Sequence, residues 1–208
     1  MTPHISRIIP PNYSNWQTIE NTYQVCRSLI YQNIPGDFVE CGVASGSNFG
    51  AMLLAAEDKR ACIGYDSFEG IPWAGVNDDQ QPGIGKIDRD KIGLLESSGV
   101  SSHTKEDVLF NIRKWGLKGN YMLIKGWFQD TIPNNIIFNI ACLRLDGDLY
   151  ESTAIPLKYL LPKVSKGGIV IIDDWNLVGA RLAWSEVEID YVELKELGEY
   201  GPKYFKIL

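Results

Sequence analysis

The 208-residue sequence sets carboxylates at the ends of apolar runs with a regularity that invites a chemical reading. Glu40 closes Asp37-Phe38-Val39, Asp66 follows the run at 61–65, Asp146 follows 140–145, and the pair Asp173-Asp174 follows 169–172. One acid at such a place is common. Several at a shared edge repel one another unless a cation or a polar ligand compensates. A second feature lies beside the first acid, in Glu40-Cys41-Gly42-Val43-Ala44-Ser45-Gly46-Ser47, with a further glycine at Gly50. Glycines between a strand and a helix let the backbone approach a ligand closely. The spacing is G-x-x-x-G-x-x-x-G, not the G-x-G-x-x-G of dinucleotide folds. Glu40 suits a ligand carrying an ammonium or hydroxyls better than a pyrophosphate. Asp66, at the end of the next run, stands where a carboxylate holds a ribose diol. The two acids together fit a nucleoside ligand.

To gather these residues the chain must alternate strands and helices. Apolar runs predict strands at 37–41, 61–65, 121–125, 140–145 and 169–172, with a short last one at 203–208. Helical spacing, as in Ile19, Tyr23, Cys26 and Ile30, predicts helices at 16–32, 46–57, 104–115, 150–161 and 180–191. Pro35 and Gly36 stop the first. The expected class is α/β, a mostly parallel sheet with helices on both faces, whose ligands bind outside the carboxyl ends of the strands. The length suits a single domain spanning 1–208, with an N-terminal arm and helix over 1–34, the arm from Pro3 to Asn15 being Pro- and Asn-rich and expected to be loose. Residues 71–103 break the rhythm with Gly, Ser, Asp and Gln throughout. A connection that long is expected to be a lid or substrate loop. Trp73 and Ile84 could cover apolar ligand surface there, while Gly75, Gly83, Gly85, Gly93 and Gly99 permit motion.

Composition removes other classes. The formal charge of −6 offers nothing to a phosphate backbone, which argues against nucleic acid. No apolar stretch approaches the roughly 20 residues of a membrane span, and 1–11 lacks the apolar core of a signal peptide. Cys26, Cys41, Cys62 and Cys142 are widely spaced among apolar neighbours and form no CxxC, so buried thiols in a reducing cytoplasm are expected and zinc is not.

Five segments, in order, resemble motifs of one family. They are Gly36-Asp37-Phe38-Val39-Glu40-Cys41-Gly42-Val43, Asp66-Ser67-Phe68-Glu69-Gly70, Gly126-Trp127-Phe128-Gln129-Asp130-Thr131, the stretch from Leu143-Arg144-Leu145-Asp146-Gly147-Asp148 to Leu149-Tyr150-Glu151-Ser152-Thr153, and Gly167-Gly168-Ile169-Val170-Ile171-Ile172-Asp173-Asp174-Trp175. The sequence resembles the macrocin O-methyltransferase family of S-adenosylmethionine (SAM)-dependent enzymes from about Pro35 to Arg181. Trp175 stands where that family commonly has Tyr. The resemblance implies a Rossmann-like class I methyltransferase that uses Mg2+ to methylate a hydroxyl of a sugar or sugar-containing natural product. Carried over by position, it implies Asp146, Asp173 and Asp174 as metal ligands. It implies cofactor contacts at Glu40, Gly42, Asp66, Ser67 and Trp127, with Ala44, Ser45, Ser47, Gly126 and Asp146 completing the expected set.

The chemistry needs such residues. Methyl transfer from a sulfonium is an in-line displacement, and a sugar hydroxyl must lose its proton to take part. Mg2+ lowers that pKa and prefers hard oxygen ligands. Asp146 lies 27 residues before Asp173, a strand-helix-strand distance that puts both at the ends of adjacent parallel strands. Asp146 is also the candidate general base. Trp127 could stack on adenine, with Phe128 in the core. Asp148 is expected in a turn or helix cap before Tyr150, although Asp146-Gly147-Asp148 also reads as the D-x-D of metal-dependent glycosyltransferases. Tyr159 and Lys163 show the Y-x-x-x-K spacing of NAD(P)-dependent oxidoreductases, here at a helix end with Pro162 between them. His103 is expected at the surface, and Arg181 as an exposed or bracing cation. The glycosyltransferase and the oxidoreductase are the alternative enzymes, and a binding module without turnover is a third. The expected partner is a small hydroxylated acceptor, and a homodimer is compatible with the sequence.

Overall fold

Alternation along the first strand sets the architecture. The computed structural model describes residues 5–8, 15–78, 90–92, 94–195 and 201–208. Its strands are β1 (Asp37–Cys41), β2 (Cys62–Asp66), β3 (Tyr121–Lys125), β4 (Ile140–Leu145), β5 (Val164–Ile172), β6 (Tyr191–Glu193) and β7 (Lys203–Ile207). Its helices are α1 (Trp16–Tyr31), α2 (Ser47–Ala56), α3 (Lys105–Lys114), α4 (Phe128–Thr131), α5 (Tyr150–Leu160) and α6 (Val178–Ser185). In β1, Phe38 packs into a core shared with Leu29 of α1, Met52 of α2 and Ile112 of α3. Val39 and Cys41 point the other way, into a core with Phe128 of α4, Leu157 of α5 and Trp184 of α6. Both faces of the sheet are therefore covered, which is why its strands read as continuous apolar runs.

The strand order is β3-β2-β1-β4-β5-β7-β6, parallel except for β7, which runs antiparallel to both β5 and β6. This is the expected α/β class. After β1 the chain crosses to β2 on one side, and β4 pairs on the other. The order thus reverses at β1, and a crevice opens there above the carboxyl ends.

Local chemistry fixes the helix starts. Asn15 caps α1, accepting from the Thr18 N–H at 2.9 Å. Thr104 and Asp107 form a reciprocal capping box on α3, a device worth about 1 kcal/mol.

The structure corrects three readings and adds one short helix. The helix expected over 180–191 stops at Ser185, and Tyr191–Glu193 is strand β6. The alternation Val187, Ile189, Tyr191 has period two, and Tyr191 packs on Trp184 and Phe205 with ring centroids 5.1 and 5.2 Å away. The fifth strand begins at Val164, not 169: Val164 pairs with Ile140, and the irregular Ser165-Lys166-Gly167-Gly168 that follows interrupts the apolar run before Ile169 resumes the register. The N-terminal arm is not loose where described: Ile5 and Ile8 are fully buried. The short α4 lies in a stretch too brief for periodicity to show.

The four cysteines are buried and free, as expected. Among the described residues no helix is long and apolar enough to cross a membrane. The insert leaves β2 at the ligand edge, and its two ends meet: Pro72 bridges Ser97, and the Ile71 N–H donates to Val100 O at 2.9 Å. Ile84, Gly83, Gly85 and Gly93 lie outside the described residues.

Candidate active site

Gly42 ends β1 with φ +93, and a Cβ there would sit 1.7 Å from the Asp146 carbonyl oxygen. Only glycine lets β1 and β4 come so close at their ends. The loop that follows is held from β2. Asp66 Oδ2 accepts from the Val43 and Ala44 N–H groups at 2.7 and 2.8 Å, and Oδ1 accepts from Phe68 N–H at 2.7 Å. Asp66 therefore fixes the glycine loop first, and a ligand hydroxyl bound there would have to use its remaining lone pairs.

The acids at the ends of β4 and β5 converge. Asp146, Asp173 and Asp174 can each offer an oxygen, all within 4.8 Å of one another, the one such group among the described residues. Below them lies a residue to which the sequence reading gave no role. Arg144, 1% exposed near the carboxyl end of β4, sends Nη1 to Asp146 Oδ2 at 2.5 Å and to Glu40 Oε1 at 3.1 Å, and Nη2 to Asp173 Oδ1 at 2.5 Å. The Asn48 amide, oriented to donate to Thr22 Oγ1, adds Oδ1 as a fourth acceptor, 3.0 Å from Nη2. Burial works against the guanidinium charge, but Asp173, Asp146 and Glu40 outweigh it and hold Arg144 protonated. One cation does not balance so many acids. Burial, opposed by Arg144 and reinforced by Asp146, raises Asp173 to about 7. Burial and the Asp146 and Asp173 charges raise Asp148 to about 7, and burial with the Asp148, Asp146 and Asp173 charges raises Asp174 strongly.

These shifts predict a pH dependence. Carboxyls with raised folded-state pKa values stabilise the fold below about pH 4 and lose that contribution as pH rises through about 7. The cation-free protein should melt at a lower temperature at pH 8 than at pH 6, and Asp173→Asn should flatten that slope. Thermal melts across this range check it.

A cavity of about 780 Å³ spans the carboxyl ends of β1, β2 and β4. Gly42, Ala44, Asp66, Ser67 and Trp127 line one part, and Asp146, Asp148, Asp173 and Asp174 another. Trp73, Val76, Ile92, Leu94 and Leu95 of the insert also line it. Glu40, Ser45, Ser47 and Gly126, expected among the cofactor contacts, do not line it. Strand alternation turns Glu40 down to Arg144, where it is 1% exposed and burial pushes its pKa well up. Ser45 and Ser47 are buried at the start of α2, and Gly126 faces Thr131. Phe128 is in the core, as expected.

Other candidates resolve into structure. Asp148 occupies a turn at φ +64 and donates its N–H to Asp174 Oδ2 at 2.8 Å. The N-cap of α6 is Leu177, so Asp173 and Asp174 are not capping residues. Lys163 Nζ donates to Asn135 Oδ1 and to the Ile137 carbonyl at 2.7 and 2.6 Å, which leaves the Y-x-x-x-K spacing without a catalytic role. Arg181 Nη1 braces the turn through Trp175 O at 2.7 Å. Asp78 was missed. Its Oδ1 accepts from the Tyr150 N–H at 2.7 Å at the start of α5, and its Oδ2 from Gly75 N–H at 2.8 Å, so it pins the insert beside the carboxylate loop.

The sequence matches the family described as Macrocin-O-methyltransferase (TylF) over residues 16–194. The chain belongs to the macrocin O-methyltransferase family. It is 41% identical over 164 residues to demethyldecarbamoylnovobiocin O-methyltransferase of Streptomyces niveus, a match covering 76% of this chain and 60% of that protein. It is 36% identical over 169 residues to 8-demethyl-8-(2,3-dimethoxy-alpha-L-rhamnosyl)-tetracenomycin-C 4'-O-methyltransferase of Streptomyces olivaceus, covering 78% of this chain and 62% of that protein. The chain thus spans about three-fifths of the length of these two curated relatives. The solved structure of the O-methyltransferase NovP superposes with a TM-score of 0.74 at 32% identity, covering 92% of this chain and 79% of that one. The fold is accordingly the Rossmann-like class I methyltransferase fold. Family membership extends past Arg181, where the resemblance in sequence had stopped, and takes in α6 and β6.

Proposed function

We propose that this chain is a SAM- and Mg2+-dependent O-methyltransferase that acts on a hydroxyl of a sugar or a sugar-containing natural product. The observation that carries the reading is the single cavity with two chemically distinct parts. A glycine loop with Asp66 and Trp127 lies on one side, and three carboxylates lie on the other. The hard-oxygen donor set of Asp146, Asp173 and Asp174 fits Mg2+, and Arg144 balances only part of its charge. The names of the two curated relatives support the acceptor class, one of them specifying a rhamnosyl group.

A sulfonium donor supplies a methyl group for in-line displacement. A divalent cation supplies Lewis acidity toward an acceptor hydroxyl. The chain's own residues do the rest. Gly42 gives the donor close access to the end of β1, and Asp66 holds the loop that must cradle it. Trp127 offers its ring to adenine. Asp146, whose Oδ2 is engaged by Arg144, has Oδ1 left, one lone pair of which can face a cation while the other accepts the hydroxyl proton. Trp73 and the apolar residues of the insert exclude water, so residues 71–103 act as a lid on a single 1–208 domain. Free, buried thiols support a cytoplasmic location.

The test is a set of thermal melts with S-adenosylhomocysteine, a UDP-sugar and NADH, followed by methylation assays with and without EDTA. S-Adenosylhomocysteine alone should raise the melting temperature, by about 2.7 kcal/mol of stabilisation at a hundredfold excess over Kd. Asp66→Ala should remove most of the shift. EDTA should stop methylation of a hydroxylated acceptor. A shift with UDP-sugar or NADH instead would revive the glycosyltransferase or the oxidoreductase, and turnover in EDTA would leave a purely basic mechanism.

A further inference from the structure

The three carboxylates of the cluster share a pattern. Each has one oxygen taken by a donor of the protein and one without such a partner among the described residues. Asp146 gives Oδ2 to Arg144 Nη1 at 2.5 Å, Asp173 gives Oδ1 to Arg144 Nη2 at 2.5 Å, and Asp174 gives Oδ2 to the Asp148 N–H at 2.8 Å. The donors are fixed. Asp148 donates from a left-handed turn. Arg144 is 1% exposed, sits on β4 in register between Glu40 and Ile171, and is held from below by Glu40 and Asn48. Its planar fork presents Nη1 and Nη2 to two carboxylates in one fixed geometry, which the freely rotating donors of an ammonium do not impose.

We infer that Arg144 determines which cation the site accepts: by engaging one oxygen each of Asp146 and Asp173, it confines both to monodentate ligation and so favours Mg2+ or Mn2+ over Ca2+. The inference rests on the metal reading above. Ca2+ takes six to eight oxygens, commonly with chelating carboxylates, at about 2.3–2.6 Å, whereas Mg2+ takes six at about 2.0–2.1 Å and usually keeps several waters. For Asp146 or Asp173 to chelate, its carboxylate must turn away from Arg144 and take one of the acceptors of a guanidinium too buried for water to replace it. The positive charge of Arg144 weakens every divalent ion alike. The ratio of affinities therefore isolates the geometric effect from the electrostatic one.

The test is calorimetric titration of the full chain with MgCl2, MnCl2 and CaCl2, in wild type and in Arg144→Lys, with S-adenosylhomocysteine binding as the check on fold. Wild type should prefer Mg2+ and Mn2+ over Ca2+ by about tenfold or more, and Arg144→Lys should shrink that preference by about tenfold, because chelation becomes open to both carboxylates. Glu40→Gln, which loosens the guanidinium without touching the three acids, should shift the ratio in the same direction by a smaller factor. It serves in place of Arg144→Lys if that variant does not fold. Equal or tighter Ca2+ binding by wild type overturns the inference, and so does an unchanged ratio in a folded variant. In both cases wild type still binds cations, so the metal reading survives. Wild type that binds none of the three ions overturns the metal reading and this inference with it.

Discussion

Asp146→Asn is expected to lower the rate of methyl transfer by about 10²- to 10⁴-fold, the range that a general base contributes, while leaving the thermal shift caused by S-adenosylhomocysteine close to that of wild type. The amide can keep its oxygen on Arg144 Nη1, where Asp146 Oδ2 now lies at 2.5 Å. Its NH2 group then replaces Oδ1 and faces the cavity as a donor. A donor there can neither take a proton from an acceptor hydroxyl nor help to hold a cation. The glycine loop is indifferent to the change, because Asp66 fixes it from β2 and because the close approach of Gly42 is to the backbone of residue 146, not to its side chain. Single-turnover rates beside melts with S-adenosylhomocysteine check both halves. A variant that loses ligand binding and turnover together would assign Asp146 a structural role. A variant that keeps full turnover would move the base elsewhere. Asp148 is then the nearest alternative, since it lines the same cavity with its pKa raised to about 7.

The sequence made the sheet and its acidic edge legible because both rest on local patterns. The runs at 121–125 and 140–145 match the strands residue for residue, since each is buried on at least one face and ends at a polar break. The acids were readable because each follows such a run directly. What stayed hidden depends on tertiary partners. β6 has three residues and exists only because Tyr191, Val192 and Glu193 pair with β7. The docking of Asp78 onto α5 joins positions 72 residues apart. Glu40 was placed at the ligand on the strength of its strand end, but its partner lies 104 residues away on the neighbouring strand. Arg144 carried a signal that can be read in hindsight. A charged residue flanked by Cys142, Leu143 and Leu145 in a buried strand requires a partner of opposite charge, because burying it alone costs too much. The acids able to meet that need were already known.

The same buried charge makes Arg144→Met strongly destabilising, at about 3–5 kcal/mol, the cost of removing one partner from a buried ion pair. Methionine fills much of the volume, so the loss is electrostatic rather than a cavity. It leaves Glu40 at 1% exposure without the guanidinium that pairs with its Oε1, and Glu40 Oε2 already has no hydrogen-bond partner among the described residues. Asp146 and Asp173 suffer less, because their side chains are 30% and 24% exposed and water can replace part of what Arg144 gave them. This asymmetry yields a sharper expectation than the single variant. Glu40→Leu combined with Arg144→Met removes the stranded acid together with the cation, and apolar replacement of a whole buried pair is often neutral or stabilising. The double variant should therefore recover more than half of the loss, giving a coupling of opposite sign to the single losses in a double-mutant cycle. Urea melts of the four proteins without divalent cation measure it. Additive losses would mean that Arg144 is held chiefly by Asp146 and Asp173. Adding Mg2+ should then rescue Arg144→Met alone, because the cation would take over the charge of those two acids at the place where the guanidinium had balanced it.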